Sequence, residues 1–181
     1  TGTTAFTTSE GFIGWSHTSS VDAGAIITFD ALTGGSTTVS VGTISSQSGS
    51  FNISASGDGV YAYLISSGTC SSPTGITFLS AISTQSFGSA NVGDLPANLS
   101  TTAGSRTAVE NTGSKDVEVY SGSTVCNGTY AECADQIGNP ASYTNDDGSN
   151  NQHDDCALAD WRANSACGGG CACTAGYPEA F

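Results

Sequence analysis

Apolar and polar residues alternate with a period of two over several short stretches, the spacing of a strand with one face buried. Ala25, Ile27 and Phe29 share one face of such a stretch, and Val39 and Val41 share one face of the next. Phe51, Ile53 and Ala55 continue the pattern. Val60-Tyr61-Ala62-Tyr63-Leu64-Ile65 is apolar on both faces, which predicts a central strand covered from two sides. Ile76-Thr77-Phe78-Leu79 and Val117-Glu118-Val119-Tyr120 predict two more strands. Turn formers lie between them, at Thr33-Gly34-Gly35, Ser56-Gly57-Asp58-Gly59 and Ser67-Gly68. Short strands punctuated in this way predict an all-β fold: an antiparallel β-sandwich of immunoglobulin-like or jelly-roll-like type.

Helix is confined to one or two short pieces. Tyr130 to Ile137 predicts two turns, stopped by Gly138 and Pro140. Cys156 to Ala163 predicts another, behind Asp154-Asp155, whose charge suits a helix N-terminus. Thr144 to Gln152 reads as a polar loop between them. At 181 residues one domain is the default, with roughly 70% of the unfolded surface hidden on folding. Beyond residue 150 the character changes: four of the seven cysteines follow, with Gly168-Gly169-Gly170 among them and too few apolar residues for a separate core. Residues 1–150 are therefore expected to form the sandwich, and 151–181 a cysteine-rich appendage packed on it.

Charge and composition place this fold outside the cell. Arg106, Lys115 and Arg162 are the only fixed cations against 16 Asp and Glu, a formal charge of −13. Ser and Thr make up 51 residues, Gly 24, and Met is absent. Hydroxyls and carboxylates, without lysine, solubilise such a surface, whereas cytosolic domains keep mixed charge outside. The balance excludes nucleic acid and anionic lipid as partners, because both require Lys and Arg to displace counterions. No run of 18 apolar residues predicts a membrane span. The chain does not open on a charged n-region and apolar h-region, so the expectation is that any secretion signal has been removed.

Cys70, Cys126, Cys133, Cys156, Cys167, Cys171 and Cys173 in so polar a chain predict disulfides and an oxidising compartment. Their odd number leaves one for another chain, for a segment outside this sequence, or as a buried free thiol. Asn52-Ile53-Ser54, Asn98-Leu99-Ser100 and Asn127-Gly128-Thr129 are glycan acceptor sequons, given a eukaryotic source. Asn98 follows Pro96 in a loop, Asn127 sits beside Cys126, and Asn52 alternates with Phe51 and Ile53 toward solvent. The pairs Thr3-Thr4, Thr7-Thr8, Thr37-Thr38 and Thr101-Thr102 are equally open to O-glycosylation, although strand propensity also accounts for Thr37-Thr38.

Candidate chemistry beyond this is thin. The stretch Asn145 to Asn151, followed by Asp154-Asp155, has oxygen donors but lacks calcium-loop spacing, and reads as a solvated turn with a helix cap. His17 and His153 have no Cys or His at zinc-ligand spacing, and secretion favours disulfides over zinc at Cys167, Cys171 and Cys173. No cofactor or metal is expected. There is no G-x-S-x-G elbow, and the acids crowd into turns and the tail rather than a cleft lined by the two tryptophans, Trp15 and Trp161. The chain is not expected to be an enzyme.

An ordered string of short motifs carries a resemblance. It runs through Ser9-Glu10-Gly11, Trp15, Ala23-Gly24-Ala25-Ile26-Ile27-Thr28, Gly49-Ser50-Phe51, Ser56-Gly57-Asp58, Ala62-Tyr63 and Phe78-Leu79. Asp94-Leu95-Pro96-Ala97-Asn98-Leu99, Val119-Tyr120 and Asn139-Pro140-Ala141 complete it, over about residues 9–144. This order resembles a β-rich domain that recurs in large secreted and surface-anchored bacterial proteins, with algal relatives. The resemblance implies an extracellular module without a settled activity, and transfers no catalytic residue. It also implies further strands ahead of Ser9. A sandwich short of them would expose an apolar groove and an edge. Either a neighbouring copy donates the missing strand, or Thr3 to Thr8 and the tail complete the fold within one chain. The leading functional expectation is a structural subunit of an extracellular glycosylated filament or surface appendage, with copies of itself as partners. The alternatives are an adhesive or carbohydrate-binding module using Trp15, Tyr61, Tyr63 or Tyr177, and a domain accompanying a secreted hydrolase.

Overall fold

A computed structural model describes residues 11–21, 25–30, 32, 37–49, 51, 57–69, 72–111 and 117–146. In chain order the elements are β1 (Phe12–Ser16), β2 (Phe29–Asp30), β3 (Thr38–Val39), β4 (Thr43–Ser48), β5 (Gly59–Leu64), β6 (Ser67–Thr69) and β7 (Ser72–Thr74). They continue with β8 (Thr77–Ser83), β9 (Ala108–Glu110), β10 (Val117–Tyr120), α1 (Tyr130–Ile137), a 3-10 turn at Pro140–Ser142, and β11 (Tyr143–Asp146). The fold is predominantly β, and among the described residues the strands form five small sheets. The described residues fall into two compact units, one drawn from residues 11–51 and 62–79, the other from 57–61 and 80–146.

In the first unit β1 pairs antiparallel with β4, from Phe12 opposite Ser48 to Ser16 opposite Thr43, with a bulge between Gly14 and Trp15. Phe12 is buried, and the bulge turns Trp15 so that its Nε1 donates to the Val41 carbonyl at 2.7 Å. Gly42 sits beneath that ring at φ +84°, where a Cβ would stand 2.6 Å from Trp15 Nε1 and from the Ser16 carbonyl. Only glycine fits both the backbone and the space. β2 meets β3 through Phe29 and Val39, and β6 meets β7 in a third antiparallel pair.

In the second unit β8 and β9 pair in parallel, Ala81 with Ala108, Ile82 with Val109 and Ser83 with Glu110. Parallel neighbours need a crossover, here the irregular segment between Ser83 and Ala108. That segment folds its own apolar residues inward. Val92 and Leu99 join Ala81, Ala108 and Val109 as the buried core. The Glu110 carboxylate accepts from the Phe87 N–H at 2.9 Å, which fastens the start of the crossover to β9. Ser83, Thr84 and Asn111 are also buried, and their polar groups are matched. Ser83 Oγ bonds Gln85, the Asn111 N–H donates to the Ser83 carbonyl, and the Thr84 N–H donates to the Asp58 carbonyl. β10 pairs with β11, with Tyr120 and Tyr143 edge-to-face at 5.2 Å between centroids.

The strands expected through Ala25 and Val41 are confined to Phe29–Asp30 and Thr38–Val39, and four further expectations need correction. The β8–β9 pair is parallel, so the fold is not wholly antiparallel. β5 is not covered on both faces: Val60 is 56% and Leu64 58% exposed, while Tyr61 and Tyr63 alone turn toward packing partners. Thr144 to Asp146 is strand rather than loop, because its backbone completes a ladder with β10. Ser67-Gly68 lies in β6, not in a turn. The α1 boundaries match the sequence expectation. Ile53, Ala55, the Cys156–Ala163 segment and all of 151–181 lie outside the described residues.

Candidate functional site

The outward row of β5 is the main candidate surface. A strand places alternate side chains on opposite faces, and here the two faces differ in fate. On one, the Tyr61 hydroxyl donates to the Val92 carbonyl at 2.9 Å with its ring against Phe87, and the Tyr63 ring lies against Phe78. Burial, and then the nearby Asp94 carboxylate, hold the Tyr61 phenol above its ordinary pKa. On the other face Val60, Ala62 and Leu64 are exposed in succession with no polar residue among them. β5 stands at one end of the strand order β5-β8-β9. Such a row has hydrophobic area available for association and no chemistry for catalysis.

The segment from Ser123 to Gly138 is the second. Thr129 caps α1: its hydroxyl accepts from the Glu132 N–H at 3.4 Å and donates to the Glu132 carboxylate at 2.9 Å, and that carboxylate takes the Thr129 N–H at 2.7 Å. This closes a capping box. The two Thr129 donors hold the Glu132 carboxyl below its usual range, the backbone N–H more than the hydroxyl. A disulfide joins Cys126 to Cys133 across the cap. Val125, Tyr130 and Ile137 are exposed around it, at 67%, 74% and 50%.

Asp135 ties this helix to the crossover. Its Oδ1 accepts from the N–H groups of Gly104 at 2.7 Å and Arg106 at 3.0 Å, and the Arg106 guanidinium lies 3.4 Å from both oxygens. A carboxylate in the C-terminal half of a helix opposes the helix dipole, so tertiary partners must be what keep it there. Those partners, the Arg106 N–H foremost, hold Asp135 below the ordinary carboxylate range. A depressed folded-state value gives stability that is present above the ordinary range and lost as pH falls through the folded value. Asp135→Asn should therefore melt lower than the parent at neutral pH and lose part of its acid-side slope. The two curves should converge at the acid end in melting temperatures measured against pH.

The sequence-predicted residues among those described lie on several separate elements. Asn98 and Asn127 are both exposed, in a turn after Pro96 and just ahead of the α1 cap. Trp15, Tyr61 and Tyr63 each hydrogen-bond or pack within the chain. His17 Nδ1 accepts from the Ser19 N–H at 3.1 Å. Among the described residues no group of three or more His, Cys, Asp or Glu is placed to hold a metal, and no helix is long and apolar enough to cross a membrane. Asn52, Cys70, His153, Cys156, Cys167, Cys171, Cys173 and Tyr177 lie outside the described residues.

Sequence reading missed the capping box, although Thr129-Tyr130-Ala131-Glu132 carries its S/T-x-x-E signature. It also missed Asp135, whose partners lie about 30 residues away and leave no local signal. Comparison with protein-family models, with curated proteins and with solved structures finds no match.

Proposed function

We propose that the chain is a structural, non-catalytic subunit of an extracellular, glycosylated filament or surface appendage, assembled from copies of itself. The observation that carries this reading is the outward row of β5, three consecutive apolar positions left to solvent on one strand face. Burying a valine or leucine side chain is worth about 1.5–3 kcal/mol, so a second copy laid over this row gains several. In this reading the small sheets are faces of a β-sandwich completed between copies, by strand addition or face packing. A head-to-tail contact that does not close on itself propagates into a fibre. The Cys126–Cys133 disulfide and the hydroxyl-rich surface support an extracellular setting. So does the motif order that resembles secreted β-rich modules.

Charge adds a condition. Copies carrying −13 each repel one another at long range, and salt screens that repulsion within about 10 Å at 0.1 M. Assembly through an apolar seam should therefore strengthen with ionic strength, where a seam of opposite charges would weaken. Negative-stain imaging of the purified protein over a salt series is the test. Ordered fibres that increase with salt are expected. Monodisperse single-chain particles at every salt concentration would overturn the proposal.

A further inference from the structure

The Asn127-Gly128-Thr129 sequon lies inside the loop that the Cys126–Cys133 disulfide closes, and its third residue is the α1 cap. A transferase that selects N-x-S/T must read the hydroxyl at the third position. In the folded segment the Thr129 hydroxyl has its proton on the Glu132 carboxylate and a lone pair on the Glu132 N–H. That carboxylate also lies over the middle of the sequon, where a Cβ on Gly128 would stand 2.7 Å from Glu132 Oε2. Asn127 itself stays exposed. The acceptor is open to solvent while the group that identifies it is spent.

We propose that Asn127 accepts an N-linked glycan only while Cys126 and Cys133 are reduced, so that closure of this disulfide ends the window for modification. The inference rests on the reading of the chain as a secreted glycoprotein. Among the described residues, the contacts that close the sequon come from within a few residues of it. The loop is short, and short loops close at small entropic cost. Once the disulfide forms, the cap can no longer fray freely. The Asn98-Leu99-Ser100 sequon differs in cause. Leu99 is buried, the Ser100 N–H donates to Thr107 Oγ1 at 2.9 Å, and the Ser100 carbonyl accepts from Ala108 at the start of β9. Core packing closes that site, and no thiol in the described residues takes part.

In glycan transfer the Asn127 amide nitrogen attacks the anomeric carbon of a polyprenyl-pyrophosphate-linked oligosaccharide. The C–N bond forms, the C–O bond to pyrophosphate breaks, the pyrophosphate leaves on its lipid, and the amide proton passes to a base of the transferase. In closure the two thiols lose two electrons and two protons to the disulfide of a thiol oxidoreductase, which is reduced to its dithiol.

The test is site occupancy by glycopeptide mass spectrometry on the full chain secreted from eukaryotic cells. Three chains are compared: the parent, the Cys126→Ser/Cys133→Ser double variant, and Glu132→Ala, which opens the cap without touching sequon or cysteines. Occupancy at Asn127 should rise severalfold in the double variant and by less in Glu132→Ala, with Asn98 unchanged. Brief treatment of cells making the parent chain with dithiothreitol should raise Asn127 more than Asn98, and needs no variant to fold. Equal Asn127 occupancy in all three chains, whether full or empty, overturns the inference. If Asn98 is then glycosylated, the secreted-glycoprotein reading survives that failure. Absence of glycan from both sites in every sample overturns both.

Discussion

Replacing Val60 and Leu64 together with glutamate should abolish self-association while leaving the subunit folded. Both side chains are more than half exposed, at 56% and 58%, so within one chain the new carboxylates remain hydrated. Exposed substitutions of this kind usually change stability by no more than about 0.5 kcal/mol. Across an interface the balance is different. Loss of two buried side chains removes about 3–6 kcal/mol, equivalent to roughly a hundredfold to ten-thousandfold in affinity. Unpaired carboxylates forced out of water cost more again, and each copy moves from −13 to −15 (−13 − 2). Sedimentation velocity should show the variant as single chains at concentrations where the parent forms fibres, with matching thermal melts. Unchanged assembly would show that β5 is not the seam.

How far the sequence could be read depended on whether a signal was local. The run from Val60 to Ile65 identified β5 correctly as a strand, because branched and aromatic residues there have no competing helical period. Its environment was misjudged, since apolar composition on both faces does not say whether a partner covers the second one. α1 was legible to the residue, with Gly138 and Pro140 as stop signals and few competing interpretations. β4 was not legible. Thr43-Ile44-Ser45-Ser46-Gln47-Ser48 has one apolar residue in six, and it is a strand because β1 supplies a hydrogen-bonding partner. β11 was hidden for a related reason: Asn145 and Asp146 signal turns, yet the ladder with β10 overrides their preference. The same limit applies to the candidate sites. Asn98 and Asn127 could be found by motif, whereas the Asp135 anchor and the exposed face of β5 depend on contacts distant in sequence or absent altogether.

β9 is the strongest case of a short element carrying more than its sequence suggests, and Val109→Asp should show it. Ala108-Val109-Glu110 is only three residues long, with no alternation to detect. Val109 is nonetheless 4% exposed, beside Ala108 at 1% and Ala81 at 3%. Pairing β9 with β8 in parallel requires closing the crossover of about 24 residues between Ser83 and Ala108. The length-dependent part of that closure costs roughly 3 kcal/mol. Burial of Val109, with Val92 and Leu99 from the crossover itself, offsets this cost. An aspartate at 109 removes the apolar contribution and places a charge among aliphatic side chains. The cation nearest in sequence, Arg106, is engaged with Asp135. An unpaired buried charge is among the few single changes that exceed about 4 kcal/mol, against a total stability of about 5–15 kcal/mol for a typical domain. Urea unfolding should show no cooperative transition for Val109→Asp in the region of Ser80 to Asn111, read by hydrogen exchange. Val109→Ala should keep the transition at a cost of about 1.5–3 kcal/mol, and Val109→Asn should fall between the two. If aspartate costs no more than alanine, β9 is not a core strand, and the inward folding of the crossover must have another cause.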